Sequence, residues 1–182
     1  MKITMIGCGY VGLVSGACFA DLGHEVTAYD NDRAKVARLL RAELPIYEPG
    51  LDTLVAANVA AGRLSFVDDL PGALAGAEVV FIAVGTPSRH GDGHADLTYV
   101  HAAAEAIARH VKSRVLVVCK STVPVGTNRD VLQRMLRARP SAQIDIASNP
   151  EFLREGSAIE DFKHPDRVIV GAETEFARET MR

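Results

Sequence analysis

The chain has 182 residues, of which 48% are hydrophobic and 24% are charged, and its formal net charge at pH 7 is -3. This length and apolar content suffice for a sizeable buried core, so we expect a single domain over residues 1–182. The nearly balanced charge, the scattered basic residues and the lack of Trp exclude the usual signatures of nucleic-acid and membrane partners. The longest apolar stretches, such as VVFIAVG, are much too short to span a bilayer.

The three cysteines, Cys8, Cys18 and Cys119, are far apart and form no CxxC motif. An odd number of cysteines without paired spacing argues against a disulfide framework and against a zinc site. It favours a location of the protein in the reducing cytoplasm. The first 18 residues loosely resemble a lipoprotein signal, with one Lys, an apolar run and a Cys. Regularly spaced glycines interrupt that run, so a strand, a turn and a helix are the better interpretation.

Strand-like and helix-like segments alternate along the chain. In order they are the strand KITMIG, a helix over 11–22, the strand EVTAYD, helices over 31–42 and 51–60, the strands LSFVDD and AEVVFIAVG, a helix with apolar residues at 100, 104, 107 and 111, the strand RVLVVCKS, a helix over 128–137, the strand QIDIASNP and a candidate last strand RVIVG. Asp96 or Thr98 is expected to cap the helix that follows the polar loop TPSRHGDGHADL. Alternation with continuous apolar strands predicts a mainly parallel sheet with helices on both faces.

The motif GCGYVG gives the first specific functional signal. Gly7, Gly9 and Gly12 follow a strand and open a helix, where glycines allow a tight turn, close approach of a pyrophosphate and close helix packing. Asp30 lies 18 residues after Gly12, at the end of the second strand, where a carboxylate accepts hydrogen bonds from ribose hydroxyls and repels a 2′-phosphate. The sequence therefore predicts a Rossmann-type, doubly wound α/β fold that binds NAD. A capping role for Asp30 is compatible with this, whereas Arg33 and Lys35 are the features that would favour NADP.

Three further polar residues, Thr86, Thr122 and Glu151, also follow predicted strands, at the edge where ligands bind in such sheets. Each of their motifs has a plainer interpretation: VGTP as a strand-to-loop turn, KSTVPVGT as a capping turn, and NPEFLREG as a solvated helix start. Helical spacing would place Glu151 and Glu155 on one face, which costs stability unless the two charges are used. In HPDRVIVG, a structural ion pair between Asp166 and Arg167 is the plainer interpretation.

A metal site formed by the side chains of the HGDGH loop is also conceivable, from His90, Asp92 and His94. The flanking glycines make this loop a poor rigid ligand set, so we expect no metal site.

The segments GCGYVGL, YEPGL, VGTP, ADLTYV, KSTVPVGT and NPEFLREGSAIEDFKHPDRVIVG, in this order, resemble the UDP-glucose/GDP-mannose dehydrogenase family from about residue 3 to residue 171. Enzymes of this family oxidise a sugar C6 hydroxyl to a carboxylate in two NAD-dependent steps, through an aldehyde, a thiohemiacetal on a cysteine and a thioester. The resemblance implies UDP-glucose as the substrate, with GDP-mannose and UDP-N-acetylmannosamine as alternatives. A module that senses NAD without catalysis would need the glycine turn and Asp30, but not Thr122, Glu151 or Glu155.

The resemblance also implies roles for individual residues. The cofactor side is formed by Gly7, Gly9, Tyr10, Val11 and Gly12 at the pyrophosphate, Asp30 at the ribose with Lys35 beside it, Thr86 and Thr122 along the cofactor, and Glu155 near the nicotinamide. Glu151 is expected to be the general base or to position a water molecule together with Thr122. The sugar-facing segment comprises Glu151, Phe152, Leu153, Arg154 and Glu155.

The family's nucleophilic cysteine, with a lysine and an asparagine that serve the same chemistry, has no counterpart before Arg182. A replacement by Cys119 or Cys8 is conceivable, but a small core residue is the usual role of such a cysteine. We therefore expect an N-terminal cofactor-binding portion that binds NAD without turnover. The full-length enzyme is expected to be a homodimer, paired through a central helix, and this portion a monomer.

Overall fold

The computed structural model describes residues 1–89, 91 and 94–182. The described part of the chain forms seven strands: β1 (Lys2–Ile6), β2 (Glu25–Tyr29), β3 (Leu64–Val67), β4 (Val79–Ile82), β5 (Val115–Cys119), β6 (Ile144–Ser148) and β7 (Gly171–Ala172). Its helices are α1 (Tyr10–Asp21), α2 (Arg33–Leu39), α3 (Leu51–Ala60), α4 (Leu70–Ala73), α5 (Thr98–His110), α6 (Thr127–Ala138), α7 (Ala158–Lys163) and α8 (Glu175–Thr180).

The strands form one sheet in the order β3-β2-β1-β4-β5-β6-β7. The pairs from β3 to β6 are parallel, and β7 pairs antiparallel with β6 through Ala147 and Ala172. The chain leaves β1 in one direction and returns at β4 on its other side, which is the switch point where such sheets bind ligands. The predicted doubly wound, mainly parallel fold is confirmed.

Both faces of the sheet are buried, which explains why its strands read as continuous apolar runs. Successive side chains of one strand point to opposite faces of the sheet. Met5 lies in the core that packs against α1, α3 and α7, whereas Ile6 lies in the core that packs against α5 and α6. Likewise, Val118 and Cys119 lie in different cores. No helix in the described ranges is long and apolar enough to cross a membrane.

Several elements differ from their predicted bounds. Helix α2 begins later than predicted, because the Asp32 side chain accepts a hydrogen bond from the Lys35 backbone N–H and caps it. The chain then turns at Ala42, which has a φ of 61°. Of the stretch RVIVG only Gly171 belongs to a strand, and the Ile169 carbonyl instead accepts a hydrogen bond from the Asn149 side chain. The helices α4, α7 and α8 were not predicted because they are too short for a periodic pattern.

The N-cap residue of α5 is Leu97, so neither of the two capping candidates occupies the N-cap position. The Asp96 carboxylate accepts a hydrogen bond of 2.9 Å from the Thr98 backbone N–H, so the Asp96 side chain serves the first turn. Thr98 itself is the first residue of the helix.

Candidate functional site

The glycine turn between β1 and α1 has the steric demands that its sequence predicts. Gly7 has a φ of 102°, and a Cβ atom there would lie 2.8 Å from the Ala83 carbonyl oxygen. A Cβ atom at Gly12 would lie 1.9 Å from the Gly7 carbonyl oxygen, so only glycine permits this contact between helix and turn. A Cβ atom at Gly9 would meet no non-neighbouring atom within 4 Å among the described residues. The first and third glycines therefore serve packing, and Gly9 leaves open space in front of α1.

This open space is suited to an anion. The first intrahelical bond of α1 runs from the Leu13 N–H to the Gly9 carbonyl, which leaves the preceding N–H groups without helical partners. Helix α1, whose residues are all described, has no acidic residue in its first turn and no side-chain cap. The positive end of the helix dipole and free N–H groups thus face a cradle that a side chain at Gly9 would fill. The residues present fit a dinucleotide pyrophosphate.

Asp30 directly follows β2 beside this cradle and is only 6% exposed. Its Oδ2 accepts hydrogen bonds of 2.8 Å from both the Cys8 N–H and the Lys35 ammonium, and its Oδ1 accepts one of 2.9 Å from the Asp32 N–H. Burial alone would raise the pKa of Asp30, but the hydrogen bonds from Lys35, Asp32 and Cys8 outweigh it and hold the pKa below its ordinary value. Asp30 is therefore a fixed carboxylate. Lys35, considered as a sign of NADP, is its ion-pair partner.

One cleft brings four of the predicted cofactor residues together, whereas the other six are not among its lining residues: Tyr10, Val11, Gly12, Thr86, Thr122 and Glu155. It has a volume of about 500 Å³, and its lining includes Gly7, Gly9, Asp30, Lys35 and Gly85. The cleft opens between the ends of β1 and β4, at the switch point of the sheet. The structure thus joins residues that lie up to 78 positions apart in the sequence, from Gly7 to Gly85.

The loops after β4 and β5 are tied to each other at the same edge. The Ser121 hydroxyl donates a hydrogen bond of 2.7 Å to the Val84 carbonyl, and the Thr86 hydroxyl lies 3.4 Å from the Thr122 carbonyl. Thr122 is exposed, and Thr86 is half-buried. The motifs VGTP and KSTVPVGT therefore form one connected rim.

The segment NPEFLREG is not a helix, so the prediction that Glu151 and Glu155 share a helix face is wrong. Helix α7 begins only at Ala158. The Glu151 carboxylate accepts a hydrogen bond of 2.6 Å from the Leu153 N–H, two residues further on. The Arg154 guanidinium donates to the Asp161 carboxylate, with a shortest N–O distance of 2.6 Å. These local bonds replace helical ones.

The two acids consequently face different surroundings. Glu151 lies in a cleft of about 430 Å³, whose lining includes Lys120, Phe152, Leu153 and Arg167. The Arg167 guanidinium, expected to pair with Asp166, stands 5.1 Å over the Phe152 ring. Glu155 is exposed, and its charge adds to the effects of burial and of Glu48, which raise the pKa of the Tyr10 hydroxyl.

Lys120 is a functional candidate to which sequence reasoning assigned no role. It is 5% exposed, and its ammonium donates a hydrogen bond of 3.1 Å to the Asn149 side-chain oxygen and lies 5.7 Å from the centre of the Phe162 ring. Burial lowers the pKa of Lys120 to about 8, although the charge of Glu151 opposes this effect. The available signal was a lysine placed directly after a fully apolar strand.

Glu48, in the motif YEPGL, was missed as well. It is 4% exposed, and its carboxylate accepts hydrogen bonds from the Tyr10 hydroxyl and from the backbone N–H groups of Gly156 and Ala158. No local pattern reveals this role, because all three donors are at least 38 positions away in the sequence.

The three thiols are free and buried. Burial raises the pKa of Cys119 to about 12, and burial together with the charge of Asp30 raises that of Cys8 to about 12. Both belong to the cores, as small hydrophobic residues do. Of the conceived metal ligands, His90 and Asp92 lie outside the described residues; within the described residues no group of three or more His, Cys, Asp or Glu side chains could hold a metal ion.

Comparison with known proteins relates the whole chain to one family. Residues 1–182 match the NAD binding domain of the UDP-glucose/GDP-mannose dehydrogenase family. The chain is 61% identical over 173 residues to the UDP-glucose 6-dehydrogenase of Rhizobium meliloti, covering 95% of this chain and 40% of that protein. It is 50% identical over 186 residues to the UDP-glucose 6-dehydrogenase of Pseudomonas aeruginosa, covering 100% of this chain and 41% of that protein.

Solved structures agree in fold. A UDP-glucose dehydrogenase from Pyrobaculum islandicum superposes with a TM-score of 0.94 at 46% identity, covering 99% of this chain and 42% of that one. A GDP-mannose dehydrogenase from Pseudomonas aeruginosa gives a TM-score of 0.94 at 34% identity, covering 100% and 43%. The chain thus spans about two fifths of the length of the relatives that it matches.

Proposed function

The chain belongs to the UDP-glucose/GDP-mannose dehydrogenase family, and on that premise we propose that residues 1–182 are the NAD-binding domain of a UDP-glucose 6-dehydrogenase. The whole enzyme would oxidise UDP-glucose to UDP-glucuronate and use two NAD. The observation that carries the proposal is the single cleft that joins the open N-terminus of α1 to the buried carboxylate of Asp30.

In this cleft the chain's own residues bind and orient the cofactor. The N–H groups of Tyr10, Val11 and Gly12 at the start of α1 would hold the pyrophosphate, with Gly7 and Gly9 giving it room. Asp30, fixed by three donors, would accept hydrogen bonds from the ribose hydroxyls and repel a phosphate in their place. NAD, when bound, supplies the hydride acceptor.

The rim after β4 and β5 would line the reacting end. Thr86 and Thr122 would contact the cofactor side, since both lie on the loops that the Ser121 bond holds together. Glu151 would act as the general base or position a water molecule with Thr122. Its carboxylate is half-buried, bonded to the Leu153 N–H and on the same cleft as Lys120, so it is held in place for such a role.

The segment from Glu151 to Glu155 would face the sugar. Phe152 is exposed, whereas the Arg154 guanidinium is held by Asp161, so Arg154 would contact the sugar through its remaining guanidinium N–H groups. Glu155, beside Tyr10, would lie near the nicotinamide.

UDP-glucose is favoured over the alternative substrates GDP-mannose and UDP-N-acetylmannosamine by sequence identity. The relatives at 61% and 50% identity are UDP-glucose 6-dehydrogenases, whereas the GDP-mannose dehydrogenase is 34% identical. The nucleotide sugar would also contact a further domain, and the whole enzyme would be a homodimer in the cytoplasm. A protein that only senses the cofactor would not need the exposed Thr122 or the residues of the 151–155 segment. Their presence supports a catalytic enzyme.

Calorimetric titration of the chain with NAD and NADP tests the cofactor assignment. We expect NAD to bind and NADP to bind at least about tenfold more weakly. Asp30→Ala should weaken NAD binding by at least about tenfold, because a hydrogen bond to a charged group contributes about that much to affinity. Asp68→Ala is the matched control, because it removes an exposed carboxylate from the same edge and leaves Asp30 intact. Equal binding of NAD and NADP would contradict the role of Asp30.

The substrate is tested in the full-length protein by comparing NADH formation with UDP-glucose, GDP-mannose and UDP-N-acetylmannosamine. Faster turnover of either alternative at equal concentration would contradict the UDP-glucose assignment.

A further inference from the structure

Glu48 is a buried carboxylate that the proposed chemistry does not use. It lies in the loop between α2 and α3, and both of its oxygens are engaged. Oε2 accepts hydrogen bonds from the Tyr10 hydroxyl at 2.5 Å and from the Gly156 N–H at 2.8 Å, and Oε1 accepts one from the Ala158 N–H at 2.8 Å. A buried charge is tolerated only when it is hydrogen-bonded in this way.

These bonds outweigh the cost of burial for the charged form. Burial alone would raise the pKa of Glu48, whereas the hydrogen bonds from Tyr10, Gly156 and Ala158 lower it, and the net pKa is below its ordinary value. Glu48 is therefore a carboxylate at neutral pH. It also satisfies an N–H at the start of α7, which would otherwise have no partner there.

The three donors belong to the two halves of the proposed site. Tyr10 is the first residue of α1 and directly follows Gly9 in the dinucleotide cradle. Gly156 directly follows the sugar-facing segment, which ends at Glu155, and Ala158 lies two residues further on. Gly156 has a φ of 88°, which lets the chain turn from that segment towards α7. One carboxylate thus contacts both the cofactor side and the end of the substrate segment.

We propose that Glu48 is a positioning residue that links the start of α1 to the 151–155 segment, so that occupation of the dinucleotide cleft is transmitted to this segment through the Tyr10 hydroxyl. The inference builds on the proposed function. A pyrophosphate at the start of α1 would immobilise Tyr10, and its hydroxyl would then fix the Glu48 carboxylate and the two amides bonded to it.

Amide hydrogen exchange of the 182-residue chain, read by NMR at Gly156 and Ala158, tests the link. The ligand is ADP-ribose, which carries the pyrophosphate but lacks the nicotinamide that would approach the segment directly. In the unaltered chain we expect ADP-ribose to slow exchange of both amides. Tyr10→Phe leaves in place the hydrogen bonds that the two amides donate to Glu48. In this variant, exchange without ligand should stay slow and the effect of ADP-ribose should disappear.

Two further variants complete the test. Glu48→Gln should speed exchange of the Ala158 and Gly156 amides about tenfold or more without ligand, and it should also abolish the effect of ADP-ribose. Tyr47→Phe is the matched control, because Tyr47 is 86% exposed beside Glu48, and it should behave as the unaltered chain. If Glu48→Gln does not fold, Tyr10→Phe alone decides the question.

The outcomes separate this inference from the proposed function. If calorimetry shows that ADP-ribose binds but Tyr10→Phe keeps its full effect on the two amides, the link is refuted and the proposed function stands. If neither ADP-ribose nor NAD binds the unaltered chain, both are overturned.

Discussion

Replacing Lys120 by Met should change how the stability of the chain depends on pH. Lys120 is buried directly after β5, its ammonium donates a hydrogen bond to Asn149, and it lines the same cleft as Glu151. Met keeps the apolar stem and removes the charge. The variant therefore removes the buried charge together with its hydrogen bond to Asn149.

The magnitude follows from the pKa. Burial lowers the pKa of Lys120 from 10.5 to about 8, a difference of about 2.5, which at about 1.36 kcal/mol for each pKa unit corresponds to a cost of about 3 kcal/mol at neutral pH. Asn149 would lose a donor in the variant, at a cost of about 1–3 kcal/mol. The two terms nearly cancel at pH 7, so Lys120→Met should be about as stable as the unaltered chain or slightly more stable.

The two terms cancel at pH 7 only, so the stability of the variant should depend on pH differently from that of the unaltered chain. Between the folded pKa of about 8 and the unfolded value of about 10.4, the unfolded chain binds more protons at Lys120 than the folded chain does. The unaltered chain therefore gains stability through this residue as the pH rises through that window, by about 2 kcal/mol between pH 7 and pH 9.5, and the variant lacks this gain.

Urea denaturation of both proteins at pH 7 and pH 9.5 measures the effect, and titration of the other groups cancels in the difference. Lys112→Met, at an exposed lysine after α5, is the control and should follow the unaltered chain at both pH values. An equal stability difference between Lys120→Met and the unaltered chain at both pH values would refute the reasoning, because it would mean that Lys120 titrates as it does in the unfolded chain.

The glycine turn and the thiols give further predictions. Gly12→Ala should destabilise the chain by about 1–3 kcal/mol or more, because its Cβ would overlap the Gly7 carbonyl, and thermal unfolding measures this. Gly9→Ala should unfold at nearly the same temperature as the unaltered chain yet lose NAD binding in calorimetry, because its Cβ enters only the open cradle. A thiol reagent such as Ellman's, applied at pH 8, should modify no cysteine in the folded chain and all of them in urea, since burial raises the pKa of each: Cys8, Cys18 and Cys119.

The sheet and the cofactor cleft could be predicted because their signals are local. A strand buried on both faces must be apolar throughout, and the positive φ of Gly7 is a local backbone conformation that favours glycine, although the clash with the Ala83 carbonyl is a tertiary contact. Asp30 was predictable because it comes directly after an apolar strand, at the edge of the sheet where ligands bind, and the structure brings it to the same cleft as Gly9. The fold order and this half of the site were therefore predictable from the sequence.

The conformation of the 151–155 segment and the contacts of Glu48 could not be predicted from the sequence, because hydrogen bonds between distant residues determine them. Two carboxylates four positions apart are weak evidence for a helix, and the bond from the Leu153 N–H to Glu151 was enough to replace one. Nothing near Glu48 in the sequence indicates donors at Gly156 and Ala158, more than 100 positions away. Short helices such as α7 likewise depend on such distant partners more than on their own propensity.

The two buried charges that sequence reasoning missed hold the two ends of the same segment. Lys120 binds the side chain of Asn149, where β6 ends, and Glu48 binds the N–H of Gly156, before α7 begins. Residues 150–155, all of which the structure describes, form no helix or strand, and within them the Leu153 N–H is bonded to Glu151 and the Arg154 side chain to Asp161. The position of the 151–155 segment therefore depends on two buried charges, of which Lys120 is disfavoured by burial and Glu48 is stabilised by its hydrogen bonds. Substitutions at either anchor should consequently move this segment while the sheet, which depends on separate apolar cores, stays folded.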